Sequence, residues 1–451
     1  MLSQALHEGW GFRMNKHILI VGGGYVGLYT ALRLQRGLRR ELRDGSVSIT
    51  IIDPQSYMTY QPFLPEAAAG NLSPRHMVAP LRRVLPKVRI LNGRVTKVNH
   101  AARTVTFQPP EGDARDLAYD VVVMAAGSIS RTLPIPGLTD IGIGFKTVGE
   151  AIALRNRVLH LLDVAESTDD PEVRRRALTF VVVGAGFAGV EALAELEDMA
   201  KDSTRYYRNI KPSDVRWVLV EATNRVLPEV GPEMGKWTLE QLRERGIDVR
   251  LETRLESCAG GHVVLSDGTE FDAETLVWTA GVKPSPVVSS SDLPLDERGR
   301  IRTLATLAVE DTPGAFAAGD LAAVPDLTNP GEFCAPNAQH AVRQAKVLGD
   351  NIVRYLRGQE LAEYSHKYVG SVAGLGLHQG VANVYGIKLR GFPAWFMHRT
   401  YHLSRVPTLN RKVRVVVDWT LALFFKRETI SLGEMEHPRE GFRAAVATMR
   451  R

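Results

Sequence analysis

The chain has 451 residues, enough for two or three domains at about 150 residues each. It is 44% hydrophobic and 24% charged, without a low-complexity tract, which excludes a disordered or fibrous protein. The net charge of +6 does not indicate a nucleic-acid partner, because 56 basic residues are interspersed with 50 acidic ones.

The two cysteines, Cys258 and Cys334, are far apart in the sequence. This spacing excludes a redox dithiol of neighbouring cysteines and argues against a disulfide-stapled secreted protein, so we interpret both as buried thiols. Residues 1–13 have no long apolar stretch, so we expect no signal peptide, and Met14 is an alternative start.

A glycine-rich fingerprint follows the first predicted strand. Gly22, Gly24 and Gly27 have the spacing of dinucleotide-binding turns, in which the first glycine makes the turn, the second admits the pyrophosphate and the third lets helix pack on strand. The predicted helix at 28–34 would direct its N–H groups at the phosphates. Asp53 ends the next predicted strand, where an acid can bind ribose hydroxyls.

A second fingerprint repeats this order of parts. Gly184, Gly186 and Gly189 follow another apolar run, and Glu221 ends the next predicted strand. A carboxylate there would repel a 2′-phosphate, which favours NAD over NADP. One fingerprint can arise by chance, but two complete units indicate two dinucleotide sites.

The two units also end alike, each in an apolar strand and a small-residue turn, at 120–128 and at 275–281. A further short strand then leads into Ala318-Gly319-Asp320, and a helix is predicted within 336–355. If the chain returns here to the first unit, the second unit is an insertion in it. We therefore predict an α/β protein with two Rossmann-like domains, divided into residues 15–145, 146–300, 301–365 and a C-terminal region at 366–451.

From His17 to Arg427 these features resemble the two-dinucleotide flavoproteins, and within them the type II NADH:quinone oxidoreductases. The resemblance implies a glutathione-reductase-like fold with the NADH domain inserted in the FAD domain. It places FAD against Gly22, Gly24, Gly27, Asp53, Ala126, Gly127, Gly319, Asp320, Ala338 and Lys367, with Ala126 standing where threonine is usual. It places NADH against Gly184, Gly186, Gly189, Glu221 and Gly281.

The segment 338–344 is similar to the quinone-site motif of that family. Gln339 and Gln344 match it, whereas Arg343 stands where the family often has glutamine, and the alternative is an ordinary polar first turn of a helix. Glu191 matches a family acid close to the flavin; alternatively it only stabilises the start of its helix through the dipole. The resemblance thus implies catalytic roles for Glu191, Gln339 and Gln344.

The loop at 61–70 looks like the one that carries the redox cysteines of disulfide reductases, but it has none. The resemblance then implies hydride transfer from NADH to FAD and two-electron reduction of a quinone, either menaquinone or ubiquinone. No histidine and cysteine cluster has the spacing of metal ligands, so no metal site is expected. Nothing suggests a proton path across a bilayer, and we predict no proton pumping.

No apolar run approaches the roughly 18 residues of a membrane span. Instead, 392–407 and 413–425 are amphipathic and aromatic, and from Lys388 to Arg427 nine basic residues accompany one acid, Asp418. Such segments are typical of helices in the headgroup region, so we expect peripheral binding to the cytoplasmic face of the cell membrane. The alternatives are a homodimer interface, a core helix or, at 413–417, a strand.

Three other functions compete with quinone reduction. A soluble reductase of a ferredoxin-like protein shares the superfamily fold. A sulfide:quinone reductase needs several positioned cysteines, which two distant ones do not supply. A non-enzymatic flavin module would bind FAD without a fast electron acceptor.

Overall fold

The computed structural model describes residues 15–367, 369–425 and 427–431. These residues divide into two compact units. The first unit holds residues 15–58, 79–129 and 282–367, and the second holds residues 59–78, 130–281 and those from 369 onward. Each unit therefore contains one of the two glycine fingerprints.

The first unit is built on a five-stranded parallel sheet. Its central strand, Lys16–Val21, lies between Val121–Met124 and Val47–Asp53, and the edges are Ala315–Ala317 and Arg89–Asn92. The inner strands are apolar and almost fully buried, as expected of a parallel sheet covered on both faces. A smaller antiparallel sheet contains Arg94–Asn99, Thr104–Gln108 and Arg115–Ala118.

Two long helices of the first unit pack against each other. The first fingerprint helix, Tyr25–Gly37, directly follows the central strand. The glutamine-motif helix, Ala338–Leu356, lies along it, and Arg33 joins the two through a bidentate pair with Asp350 at 2.6 and 2.8 Å. The chain thus returns to the first unit after the second sheet has formed.

The second unit repeats the same kind of sheet. Five parallel strands lie in the order Gly142–Gly144, Thr275–Trp278, Thr179–Val183, Arg216–Val220 and Asp248–Arg250. A three-stranded antiparallel sheet of Leu255–Ser257, His262–Leu265 and Glu270–Asp272 shares its apolar core. The second fingerprint helix is Phe187–Thr204, and the other main helices are Val148–Ser167, Pro171–Ala177 and Pro232–Glu244.

The C-terminal part of the second unit is an antiparallel meander followed by two helices. The meander strands are Gly370–Gly374, Gly380–Val384 and Ile387–Arg390. The penultimate helix, Phe392–Arg405, packs on the meander, and the last helix, Leu409–Phe424, begins at the side-chain cap of Thr408. Residues 413–417 are therefore helical, and the alternative of a strand is wrong.

The short elements complete the list. The short strands are Tyr57–Thr59, Val78–Pro80, Ser128–Ser130, Val282–Pro284, Ile301–Arg302 and Ala322–Ala323. The short helices are Glu41–Asp44, Gln61–Phe63, Leu64–Ala68, Leu81–Val84, Leu138–Ile141, Pro212–Asp214, Pro228–Val230 and Ala259–Gly261.

The predicted α/β class with two parallel-sheet, dinucleotide-type domains is confirmed. Within the described ranges, no helix is both long enough and apolar enough to cross a membrane.

Candidate active site

The first fingerprint has the backbone geometry that a dinucleotide turn needs. Gly22 has a φ of +104°, and a Cβ there would lie 2.5 Å from the carbonyl oxygen of Ala125. A Cβ on Gly27 would lie 1.9 Å from the Gly22 oxygen, so helix and strand meet too closely for a side chain. A Cβ on Gly24 would meet nothing within 4 Å. That open side, at the start of a helix, leaves room for a pyrophosphate to approach the backbone.

Asp53 lies against this turn. Its Oδ2 accepts a hydrogen bond of 2.6 Å from the Gly23 N–H, and its Oδ1 accepts one from Gln55 at the same distance. Burial raises the pKa of Asp53, and these two backbone donors partly oppose that effect. The acid is thus held beside the turn, as its predicted role on the ribose requires.

Two further turns that are predicted to hold FAD lie, like the fingerprint, at the carboxyl-terminal end of the first parallel sheet. Gly319 follows the edge strand with a φ of +78°, and a Cβ on it would lie 2.8 Å from Val26 of the first fingerprint helix. Asp320 accepts a 2.6 Å hydrogen bond from the Ser128 hydroxyl, directly after the turn of Ala126 and Gly127. A Cβ on Gly22 would likewise come within 2.7 Å of Ala126 Cα. The structure therefore brings together the fingerprint, the 126–127 turn and the 319–320 turn.

The glutamine motif begins the glutamine-motif helix at Ala338. Asn337 caps that helix by accepting a hydrogen bond from the His340 N–H at 2.8 Å. Gln344 is 1% exposed, and its side-chain oxygen accepts a 2.8 Å hydrogen bond from the Gly319 N–H. Gln344 thus supports the 319–320 turn, a structural role that the sequence did not indicate; its catalytic role stays a prediction.

Gln339 is more accessible and has a partner that the sequence missed. Its side-chain oxygen lies 3.3 Å from Nε2 of His366, and Arg343 donates to its backbone carbonyl at 3.0 Å. Tyr364 holds His340 in turn, with 2.9 Å between hydroxyl and Nδ1. Lys367, which follows His366, is exposed.

The second fingerprint has the same geometry as the first. Gly184 has a φ of +106°, a Cβ on Gly189 would lie 1.9 Å from the Gly184 oxygen, and one on Gly186 would meet nothing within 4 Å. Glu221 accepts a 2.7 Å hydrogen bond from the Ala185 N–H, the counterpart of the contact at Asp53. Gly281, at the end of the unit's last parallel strand, is exposed with a φ of +95°.

Glu191 is 8% exposed and lies on the second turn of the second fingerprint helix. Its Oε1 accepts a 2.8 Å hydrogen bond from the Gly374 N–H and lies 3.0 Å from Nε2 of His398. The carboxylate is therefore directed at the meander and the penultimate helix rather than at the start of its own helix.

Comparison with known proteins shows to which family the chain belongs. Residues 13–345 match the family model of pyridine nucleotide-disulphide oxidoreductases. A type II NADH:quinone oxidoreductase of Staphylococcus aureus is 32% identical over 85% of this chain and 93% of its own length. The chain belongs to the type II NADH:quinone oxidoreductase family.

Two relatives with lower sequence identity also match over most of the chain. A type II NADH:quinone oxidoreductase of Mycobacterium tuberculosis is 29% identical, over 91% of this chain and 88% of its own. A solved structure of NDH2 from Plasmodium falciparum in complex with NADH matches with a TM-score of 0.84 at 19% identity, covering 92% of this chain and 99% of that one. The latter likeness concerns the fold.

The name of the matching family refers to disulphides, but this chain has no pair of neighbouring cysteines that could form a redox disulphide. Cys258 is 0% exposed and Cys334 is 7% exposed, and both are free thiols. Burial raises the pKa of both thiols, that of Cys334 to about 11, so each is protonated at neutral pH. The interpretation of both as buried thiols is confirmed.

This member of the family also contains a buried ionic cluster that the sequence did not predict. Arg399 donates to Glu66 at 3.0 Å, and Trp419 donates to the same Oε2 at 2.7 Å. Glu195, one turn after Glu191, accepts a 2.8 Å hydrogen bond from Asn71. No local sequence signal could have found it, because Glu66 lies far along the chain from both Arg399 and Trp419.

Proposed function

We propose that the chain oxidises NADH through FAD and reduces a membrane quinone, without pumping protons. The observation that carries this proposal is the pair of matching fingerprint geometries in a chain of the type II NADH:quinone oxidoreductase family. Quinone reduction is favoured over a soluble iron–sulfur acceptor by the names of the relatives. The net reaction consumes NADH, one proton and quinone, and it yields NAD⁺ and hydroquinone.

The residues of the first unit suit a permanently held FAD. The first fingerprint would receive its pyrophosphate at the open side of Gly24, with Asp53 at the ribose and Asp320 at the ribityl or phosphate region. When bound, FAD supplies the hydride acceptor and then the two-electron donor.

The second fingerprint would receive NADH in the same way at Gly186. Glu221, held by the Ala185 N–H and by Thr223, would bind the ribose hydroxyls and repel the 2′-phosphate of NADPH.

The last helix supports binding to the membrane surface. Val415 is its one buried residue among those described, whereas its large apolar side chains are between 43% and 77% exposed: Leu409, Val413, Val416, Val417, Leu421, Leu423 and Phe424. Phe392 and Phe396 of the penultimate helix are also more than half exposed. So much apolar surface, with basic residues beside it, fits the headgroup region of an anionic membrane. We place it on the cytoplasmic face, and a homodimer through the same surface is the competing arrangement.

Anaerobic titration of the yellow protein tests the proposal. NADH is expected to bleach the flavin, and menaquinone or ubiquinone analogues in anionic vesicles are expected to reoxidise it. NADPH is expected to bleach it far less efficiently. A reduced flavin that no quinone reoxidises, while an iron–sulfur protein does, would overturn the proposal in favour of the soluble reductase.

A further inference from the structure

Three buried carboxyl groups of the second unit lie around one small cavity. Glu66, Glu191 and Glu195 are 3%, 8% and 5% exposed, and His398 and Trp395 complete much of the lining. The cavity has room for about one water molecule. Three carboxylates in a space this dry are costly unless cations or protons neutralise them.

Glu66 has a permanent cation as its partner. Arg399 donates to it and is itself held between two indoles, with its guanidinium carbon 4.3 Å from the Trp395 ring centre and 4.7 Å from that of Trp419. The indole N–H of Trp419 gives Glu66 a second donor. This guanidinium is therefore committed to Glu66.

Glu191 has a titratable partner. Its carboxylate lies 3.0 Å from His398, which also packs against His402, with ring centres 4.5 Å apart. Burial and the neighbouring His398 hold the pKa of His402 well below its usual value, so His402 is neutral. Glu191 therefore has a basic side chain within ion-pair distance.

Glu195 is left without such a partner. Among the described residues, no cation lies within ion-pair distance of it, and its one side-chain donor is the neutral amide of Asn71. Burial, with Glu66 and Asp198 nearby, raises the pKa of Glu195 to about 7, against the weaker opposing effects of Arg427 and Arg399. At neutral pH, Glu195 therefore holds a proton much of the time.

We propose that Glu195 stores the proton consumed by quinone reduction and passes it across the cavity to Glu191. The inference rests on the proposed function and on the catalytic role that the family resemblance implies for Glu191. The O–H bond of Glu195 breaks and an O–H bond forms on Glu191. Glu191 then passes this proton to an oxygen of the reduced quinone. The electron pair and the other proton of the hydroquinone come from NADH. Glu195 recovers a proton from solvent at the side of Asp198, which lies one turn further along the helix and lines an open cleft.

The test compares Glu195→Gln with the parent protein using two electron acceptors. A quinone takes up protons with its electrons, whereas ferricyanide takes electrons alone, so the ratio of quinone to ferricyanide turnover isolates proton supply. In the parent, this ratio is expected to fall as the pH rises through about 7. In Glu195→Gln the ratio below that pH is expected to be about tenfold lower than in the parent, and it should be nearly independent of pH. This loss is smaller than the loss expected on removing a direct general acid, because solvent still supplies protons slowly.

Two further variants separate proton storage from a structural role. Asn71→Leu removes the donor that stabilises the charged form of Glu195, so the fall in the ratio is expected to move to higher pH. Glu256→Gln changes an exposed acid of the same unit and is expected to leave the ratio and its pH profile unchanged.

Infrared difference spectra give a readout that does not depend on turnover. A protonated-carboxyl band that titrates near pH 7 is expected in the parent and is expected to be missing in Glu195→Gln. An unchanged pH profile in Glu195→Gln, or equal loss with both acceptors, would overturn the inference. Failure of the parent itself to reduce quinone would instead overturn the proposed function.

Discussion

The Gly23 N–H and the Asp53 carboxylate are joined by a 2.6 Å hydrogen bond that ties the first glycine turn to the end of the neighbouring strand. Ala185 and Glu221 repeat this contact in the second unit at 2.7 Å. In both units the acid is therefore positioned by the turn that would receive the pyrophosphate. A carboxylate held there can bind the ribose hydroxyls, and at Glu221 the same charge can repel the 2′-phosphate of NADPH.

Substitutions in the first fingerprint should separate fold from cofactor binding. In Gly27→Ala the methyl group would lie 1.9 Å from the Gly22 oxygen, so we expect a loss of about 1–3 kcal/mol of stability together with the flavin. In Gly24→Ala the methyl group meets nothing within 4 Å, so the fold should persist while FAD binding weakens. Flavin absorbance per mole of protein and the thermal midpoint measure the two effects.

Gly186→Ala is the matched change in the second fingerprint. It should leave the flavin content at the parent value and raise the KM for NADH, because Gly186 occupies the corresponding open position. Loss of FAD from Gly186→Ala, or its retention at full affinity in Gly24→Ala, would contradict the assignment of the two dinucleotides.

Nucleotide preference should depend on Glu221. Glu221→Gln keeps an oxygen that can accept from the Ala185 N–H but removes the charge that repels a 2′-phosphate. The ratio of kcat/KM for NADH to that for NADPH is expected to fall about tenfold, equivalent to about 1.4 kcal/mol. Steady-state kinetics with both nucleotides check this, with Glu256→Gln as the control of equal charge change. An unchanged ratio would remove Glu221 from nucleotide selection.

The sequence predicted the parts of the site that depend on local pattern. The spacing of the two fingerprints located Gly22 and Gly184, whose positive φ angles a glycine turn needs. Asp53 and Glu221 were located by their places at the ends of predicted strands. The sequence did not predict that Gln344 would face the Gly319 N–H, because helix register alone leaves its direction open. The short apolar run at 413–417 left a strand open as an alternative to the expected helix, because periodicity alone does not separate the two over so few residues.

The buried cluster was beyond prediction for a different reason. Glu66 meets Arg399 and Trp419 from the far end of the chain, and no spacing rule relates them. A charged residue in an amphipathic segment is expected to face solvent, yet Arg399 is 8% exposed. Its burial becomes understandable only once the carboxylate and the two indoles around it are known.

Membrane binding should depend on the exposed apolar end of the last helix. Phe424 is 77% exposed, and Phe424→Glu replaces its apolar contact with a charge that anionic lipids repel. At about 0.8 kcal/mol for each buried CH₂ group, the lost insertion should lower vesicle partitioning more than tenfold. Co-sedimentation with anionic vesicles measures this, with NADH:ferricyanide turnover as the check on folding.

Leu304→Glu provides the control for that experiment. Leu304 is 51% exposed but lies in the first unit, away from the last helix in sequence. It should sediment with vesicles like the parent. If Phe424→Glu binds vesicles normally but no longer forms an oligomer, the exposed face serves a homodimer instead.

The departure from the family motif at Arg343 should be visible in the titration of two histidines. Burial is the main cause that lowers the pKa of His340 and of His366, and the positive charge of Arg343 lowers both further. Arg343→Gln removes that charge. The protonated form of each histidine is then less destabilised, so the pKa values of both should rise. At a fixed pH between the old and new values, a larger fraction of each ring is then protonated. Carbon-13 NMR of labelled histidine measures the shift, and Lys346→Gln, an exposed change on the same helix, should leave both titrations in place. A pKa of His366 that falls or stays constant in Arg343→Gln would show that Arg343 does not act on the Gln339 side of the site through its charge.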